Sequence, residues 1–534
     1  MLQVHRFSSL CCIAILLFTL CTEGRSQDGS VDTSFGLGGV VQFYASGPGT
    51  YASPFVGDIA YDGASLGTHP TDRIVVTGSS LLSWNKFEMF VMRFTLTGEI
   101  DSSFSNDVRR VLDFGDTSSR GVSLEILLDG SYLVGGRYGK SSSMLCHLTK
   151  LGLPDRRFNG TGFLYIPSFE VHDIHQQTDG KVLVSGVNPL TARQDIILLR
   201  FTRQGKQDPS FGSSGRVTLN VGDPSVFRTS LGVQPDGKTI VVGKARTEVQ
   251  YPANWYSIIS RFHSDGSLDH TFRSSGVYPV ANRSSAANDI AVLPNGKIVV
   301  GGSFGIGDDF CVTQFNETGE IDSSFGTAGT ATIIDKTNTG GDSRIAIQRD
   351  GKILLAGRRL TITNTSMVRY TSTGQPDKQF GVDGRIDVKY DAEDFPDAIV
   401  IQPDGRILIG GAMGSPPARG GPGFLARFRN PSVENEVIDS IEEAIESGDT
   451  AASVVGPNPF RDFTHIVFRE PLQSAIVSLY DVQGRVMSVA NTVSGSSIVI
   501  DRIDNEGRRL QPGMYVVRVN DVTRTLTIKV MVVD

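Results

Sequence analysis

The tetrad Asp-x-x-Phe occurs seven times in this chain, at Asp32–Phe35, Asp101–Phe104, Asp155–Phe158, Asp208–Phe211, Asp269–Phe272, Asp322–Phe325 and Asp377–Phe380. Successive aspartates stand 69, 54, 53, 61, 53 and 55 residues apart. A period of this length marks a repeated supersecondary unit that cannot bury its apolar face alone, so neighbouring copies must stack.

A second signal precedes the tetrads: an apolar segment, a turn pair, then a β-branched run ending in Gly. Asp179-Gly180, Asp236-Gly237, Asn295-Gly296, Asp350-Gly351 and Asp404-Gly405 each open such a run, and Asp129-Gly130 opens a looser one. These pairs between apolar runs predict hairpins of type I′, which require positive φ. The first copy has Asp72-Arg73 instead, so its connection must be longer or irregular. A third strand then carries Arg beside an aromatic, at Arg93, Arg200, Arg261, Arg369 and Arg427, with His147 and Gln314 as deviants. The tetrad and a short fourth strand follow.

Four antiparallel strands per repeat with no helical period describe a propeller blade. Sets of the first three strands begin near residues 55, 121, 171, 228, 287, 342 and 396. The last set ends at Phe428 without a fourth strand, and the first tetrad has no three strands before it. Residues Gly39–Tyr44 must therefore complete the last unit and remove exposed sheet edges. The expectation is an all-β protein, a seven-bladed β-propeller closed by the N-terminal strand and followed by a small Ig-like β-sandwich. In the tetrad, the Asp is expected to form an Asx-turn and the Phe to plug the space between blades, with the recurring Arg pairing with an acidic group.

The Pro-Asp-Gly-Lys hairpin, the Arg-Phe strand and the Asp-x-Ser-Phe-Gly tetrad resemble the delta-60 repeat of secreted bacterial proteins, over residues 28–430. That resemblance implies a propeller and carries no single activity.

Residues 431–455 are rich in Glu and Asp and read as a solvated acidic linker. Residues 456–534 alternate short strands, as a small β-sandwich would. They contain Pro457-Asn458-Pro459-Phe460, then Asp481 and Gly484 in a Tyr-Asp-x-x-Gly-Arg turn, Gly513 and Tyr515 in a Gly-x-Tyr strand, and Lys529 near the end. In that order these elements resemble the type A sorting domain of the type IX secretion system. The resemblance implies recognition by the translocon, passage of an outer membrane, and a secreted or surface-attached product.

The other end fits this route. Residues 1–26 read as a signal peptide: His5 and Arg6 precede the apolar run Leu10–Leu20, too short to span a bilayer as a helix. Three of five cysteines fall in that segment, leaving Cys146 and Cys311 as expected buried thiols. No later stretch is apolar enough to cross a membrane. A net charge of −7 argues against nucleic acid as a partner.

Chemistry is sparse. His172 and His175, Asp308 and Asp309, and the acidic run from Asp391 to Asp394 lack the count or spacing of a metal loop and read as solvated turns. No nucleophile elbow or phosphate loop appears. No catalytic residue, metal site or cofactor is expected. Insertions at 79–88, 187–194, 244–254 and 412–423 all fall on one face of the ring, where binding loops on a rigid scaffold belong. Trp84, Tyr251 and Trp255 lie in or beside them and are the candidate binding residues, for stacking on sugars or anchoring a protein. The functional expectation is a non-enzymatic scaffold for glycan or protein binding. The alternative is a polysaccharide hydrolase or lyase with its site at the channel mouth.

Overall fold

The computed structural model describes residues 28–532 except 45–53, 64–71, 84–85, 106–108, 113, 115–116, 192–193, 222–223, 248–254, 275–276, 281–284, 305–308, 334–342, 360–363, 391–393, 403, 415–420, 431–451, 455–462, 482–485, 502–509, 511–512 and 521–524. The expected signal peptide, nearly all of the acidic linker, and the candidate residues Trp84 and Tyr251 lie outside the described residues.

Among the described residues, seven four-stranded antiparallel sheets follow one another along the chain. They are numbered here in the order of their first strands: Pro54–Asp62, Ser119–Ile126, Glu170–Gln176, Pro224–Val233, Ser285–Val292, Ser343–Ile347 and Asp394–Ile401. Six sheets are built from consecutive strands. The seventh takes its fourth strand from the other end of the chain: Val40–Phe43 pairs with Gly423–Phe428, Val40 opposite Ala426 and Phe43 opposite Gly423. The first strands adjoin one another in sequence order, and that of sheet 7 adjoins that of sheet 1.

Apolar clusters fill the spaces between successive sheets. Met89, Val91 and Phe104 of the first repeat pack with Tyr132 and Val134 of the second, and the same arrangement recurs around the ring. Strands in the middle of a sheet, such as Val182–Val187 and Ile196–Phe201, are buried at every residue, because both of their faces meet a neighbouring sheet. Cys146 and Cys311 are buried in central strands and form no disulfide.

The Asp-Gly and Asn-Gly hairpins depart from the type I′ expectation; that of the first repeat lies outside the described residues. In Gln234-Pro235-Asp236-Gly237-Lys238, the Gly237 amide donates to the Gln234 carbonyl and the Gln234 amide to the Lys238 carbonyl, both at 2.8 Å. Only Gly237 has positive φ, +83°. This is a three-residue loop, a type I turn followed by a left-handed glycine. Pro235 suits the first central position of a type I turn, but the hairpins with Thr178 and Arg349 there are bonded the same way, so the proline is compatible with the turn rather than required for it. The inserted segment 79–88 also differs from expectation: most of it extends strands Arg73–Ser83 and Lys86–Thr95 rather than forming a loop.

All seven tetrads share one geometry. The Asp Oδ1 accepts the amide two residues on, as from Ser103, Ser210 and Thr271, each at 3.0 Å. The Phe amide donates to the Asp carbonyl and the Phe side chain is sealed, Phe104, Phe211 and Phe272 being 0 % exposed. In the five repeats that have it, the strand Arg reaches the other carboxylate oxygen, as from Arg93 to Asp101, Arg200 to Asp208 and Arg261 to Asp269, all at 2.8 Å. A second guanidinium nitrogen crosses to the next sheet, as from Arg93 to the Lys150 carbonyl at 2.5 Å. The residue after the Phe latches the same junction, Gly212 donating to the Asp265 carbonyl at 2.7 Å with φ +54°. The repeated motif is thus the joint between sheets.

In the C-terminal region, five strands, Ala452–Val454, Phe463–Asp481, Val486–Asp501, Gly513–Asn520 and Thr525–Val532, form one connected antiparallel sheet among the described residues. The sandwich expectation anticipates two sheets. Strand Phe463–Asp481 accounts for the difference: it pairs with Val486–Asp501 along its length and with Gly513–Asn520 only at its C-terminal end, with register breaks after Val467 and Leu472 where so long a strand can bend.

Candidate functional site

The ring has two faces. The Asp-Gly hairpins and tetrad turns occupy one; the loops between second and third strands and the connections between sheets occupy the other. On this second face a cleft of about 640 Å³ opens where sheets 1, 2 and 3 meet. Its floor is the Phe87 ring, over which the Arg120 guanidinium stacks at 3.6 Å from the centroid. Arg137 stands one strand away and ion-pairs with Glu170, while Lys140 projects from the turn joining Tyr132–Tyr138 to Ser142–Leu148.

Three cations thus face one carboxylate. Burial pushes the Glu170 carboxyl up, but the His172 ring at 3.3 Å and the Arg137 and Arg120 charges outweigh it and hold Glu170 below the ordinary range. Burial lowers His172 and keeps it neutral. With Glu170 ionised, the cleft retains an excess of two positive charges suited to an anionic or carboxylate-bearing ligand.

The structure corrects the reading of His172 and His175 as solvated turns. Both lie in strand Glu170–Gln176, where His172 is buried and its Nδ1 accepts the Thr229 amide at 3.1 Å. Asp309 opens strand Asp309–Phe315, and Asp394, also buried, accepts the Tyr390 amide at 2.7 Å. Among the described residues no group of three or more His, Cys, Asp or Glu side chains could hold a metal ion. Trp255 begins strand Trp255–Phe262, its backbone opposite Arg246. Pro457 to Phe460 and Gly484 lie outside the described residues; Asp481, Gly513 and Lys529 lie in strands, and Tyr515 is buried opposite Asp481.

Sequence reasoning missed Phe87, Arg120, Arg137 and Lys140, which belong to no repeat. It also missed an inner ring of carboxylates. Asp58, Asp173 and Asp289 occupy equivalent positions on the first strands of sheets 1, 3 and 5, and each reaches toward the next: Asp58 accepts the Leu124 amide at 2.9 Å, Asp173 that of Leu231 at 2.8 Å and Asp289 that of Ile345 at 3.0 Å. The recurring Asp-Ile dipeptide at these positions was the available signal. Burial pushes Asp58 up to about 7, Glu125 to about 8 and Asp173 to about 6.

Residues 454–533 match the secretion system C-terminal sorting domain. Residues 234–272, 293–325 and 348–380 match a β-propeller domain of unknown function. No curated protein matches the chain. Among solved structures, the chain is similar to PorZ, a bacterial surface component of the type-IX secretion system of Porphyromonas gingivalis, at 14 % identity and TM-score 0.37, covering 92 % of this chain and 61 % of that one. The chain therefore spans about three fifths of that protein's length. It is also similar to a Dyadobacter fermentans protein of unknown function, at 14 % identity and TM-score 0.36, covering 73 % and 96 %. The Fusarium graminearum α-L-arabinofuranosidase Arb93A matches at 10 % identity and TM-score 0.39, covering 74 % and 98 %. None of these likenesses carries an argument about activity. Among the described residues no helix is long and apolar enough to cross a membrane. The chain carries a β-propeller domain and a type IX secretion-system C-terminal sorting domain, and that domain directs its export to the cell surface or the medium.

Proposed function

We propose that the seven sheets are the blades of one closed propeller, that the bent C-terminal sheet folds as an Ig-like sandwich, and that the propeller is a non-enzymatic scaffold. Once exported, it holds an acidic glycan or an acidic protein segment on its insertion-bearing face. The observation that carries this reading is the cleft of Arg120, Arg137 and Lys140 over Phe87, with Glu170 the one carboxylate among its described lining residues. Trp84 and Trp255, which the sequence sets in or beside inserted segments, are the further candidates for stacking in this reading. The non-enzymatic part is supported by how the raised carboxylates are engaged: Asp58 accepts the Ile59 and Leu124 amides and Asp173 those of Ile174 and Leu231, ties between neighbouring sheets.

A glycan and protein array with the purified chain tests this. Wild type should retain uronate-bearing or acidic ligands, and Arg137→Ala with Arg120→Ala should lose them at least tenfold. Undiminished binding by the double variant, and by Trp84→Ala and Trp255→Ala, contradicts the reading.

A further inference from the structure

Each tetrad aspartate is normally flanked by two cations, one from the hairpin and one from the third strand. The pairs are Arg73 and Arg93 on Asp101, Lys181 and Arg200 on Asp208, Lys238 and Arg261 on Asp269, Lys352 and Arg369 on Asp377, and Arg406 and Arg427 on Asp32. In sheet 5, Gln314 replaces the Arg but Lys297 still reaches Asp322 at 2.7 Å. Sheet 2 alone has neither. Ser131 stands in the hairpin position and His147 in the strand position, and Asp155 is satisfied instead by its own neighbour Arg157.

Two long side chains are replaced by two short ones, and the volume they fill elsewhere is open. A cavity of about 370 Å³ lies between sheets 2 and 3, on the hairpin face, opposite to the cleft described above. That volume falls in the range of small-molecule sites. Its walls are of two kinds. Leu127, Leu133, Phe158 and Val182 give an apolar floor; Asp129, Gln176, Arg157, Arg203 and Gln204 give a rim with both donors and acceptors.

His147 lines this cavity and is 5 % exposed, and its Nδ1 has no hydrogen-bond partner. The network fixes its tautomer. Asp129 takes the Ser131 hydroxyl proton, so Ser131 Oγ must accept from His147 Nε2, at 2.7 Å. Nδ1 is therefore a buried lone pair in want of an O–H or N–H donor, a costly state in an otherwise satisfied repeat. Burial also lowers the imidazole's proton affinity, so protonation does not relieve it.

We propose that the cavity between sheets 2 and 3 is a second binding site, for a single sugar ring or the end of a glycan chain. A sugar offers an apolar face to Leu133 and Phe158, hydroxyl donors to Asp129, and hydroxyl acceptors to Arg157, Arg203 and Gln204. A purely cationic ligand would meet two arginines, and a purely apolar one would leave the rim unpaired.

The test restores the repeat. Saturation-transfer NMR and titration of the full mature chain with the neutral methyl glycosides of glucose, galactose, mannose, N-acetylglucosamine and fucose should detect binding of at least one. His147→Arg should fill the cavity with the guanidinium found in five sister repeats and abolish that signal. Leu128→Trp, placed at an exposed rim position (72 % exposed), should weaken it at least tenfold without entering the core. Neither substitution touches the cleft on the other face, so retention of acidic ligands there should be unchanged and the two sites fail or succeed separately. No binding of any glycoside by wild type, or unaltered binding by a folded His147→Arg or Leu128→Trp chain, overturns the proposal.

Discussion

Arg427 and Asp32 stand 395 residues apart in the chain and meet at 2.7 Å, with side chains 3 % and 0 % exposed. The same guanidinium donates to the Leu96 carbonyl of the first repeat and stacks over the Phe35 ring. One residue from the end of the ring thus ties the N-terminal segment, the seventh sheet and the first sheet together. Asp28 adds a second tie, accepting from Arg369 at 2.6 Å.

Removing Arg427 leaves the buried Asp32 carboxylate with only the longer contacts of Arg406 at 3.4 Å and Arg429 at 3.6 Å, and deprives the Leu96 carbonyl of its donor. Arg427→Ala is expected to cost about 3 kcal/mol, the low end for breaking a buried pair, whereas Arg385→Ala, whose partner Asp387 is partly solvated, should cost about 0–1 kcal/mol. Denaturant midpoints of the two variants check this. Equal effects would mean the joint is not a special contact.

Two sets of carboxylates give opposite pH dependence. Burial raises Asp58, Asp173 and Glu125 to about 7, 6 and 8, so the folded chain holds protons that the unfolded chain has released. Their stabilisation is present in acid and is lost as pH rises through that window. Burial also acts against Asp101, Asp208 and Asp269, but hydroxyls, amides and neighbouring cations hold them below the ordinary range. Their contribution is present above about pH 4 and is lost as pH falls. Thermal midpoints should peak near about pH 5 and fall on both sides. Asp58→Asn with Glu125→Gln should flatten only the alkaline limb; an unchanged limb would contradict the assignment.

Deleting residues 454–533 should leave the propeller inside the cell envelope, as read by fractionation and immunoblotting. Normal appearance of the truncated chain at the surface or in the medium would contradict the sorting role.

The joint between sheets was legible because it is repeated: Asp208, Phe211 and Arg200 recur at fixed spacing, and repetition separates a structural demand from chance. The return of Val40–Phe43 to the last sheet was legible by counting, as one tetrad too early and one strand too few. Arg120, Arg137 and Lys140 were not, because they occur once, on strand ends whose partners are set by how three sheets converge. His147 was visible only as an exception. Its consequence, an open space beside Phe158, depends on the three-dimensional reach of the arginine it replaces and on Ser131 having lost its lysine as well. The type I hairpin was hidden because Asp-Gly fits a three-residue loop ending in a left-handed glycine as well as a two-residue type I′ loop.

Cross-linking the closing strand tests the account most directly. Val40 and Ala426 are opposed in the register of the seventh sheet, so Val40→Cys with Ala426→Cys should form an intramolecular disulfide under mild oxidation. Mass spectrometry of the digested monomer should then recover one peptide joining the two ends of the ring. Recovery of only reduced or intermolecular species from a folded chain would contradict closure by the N-terminal strand.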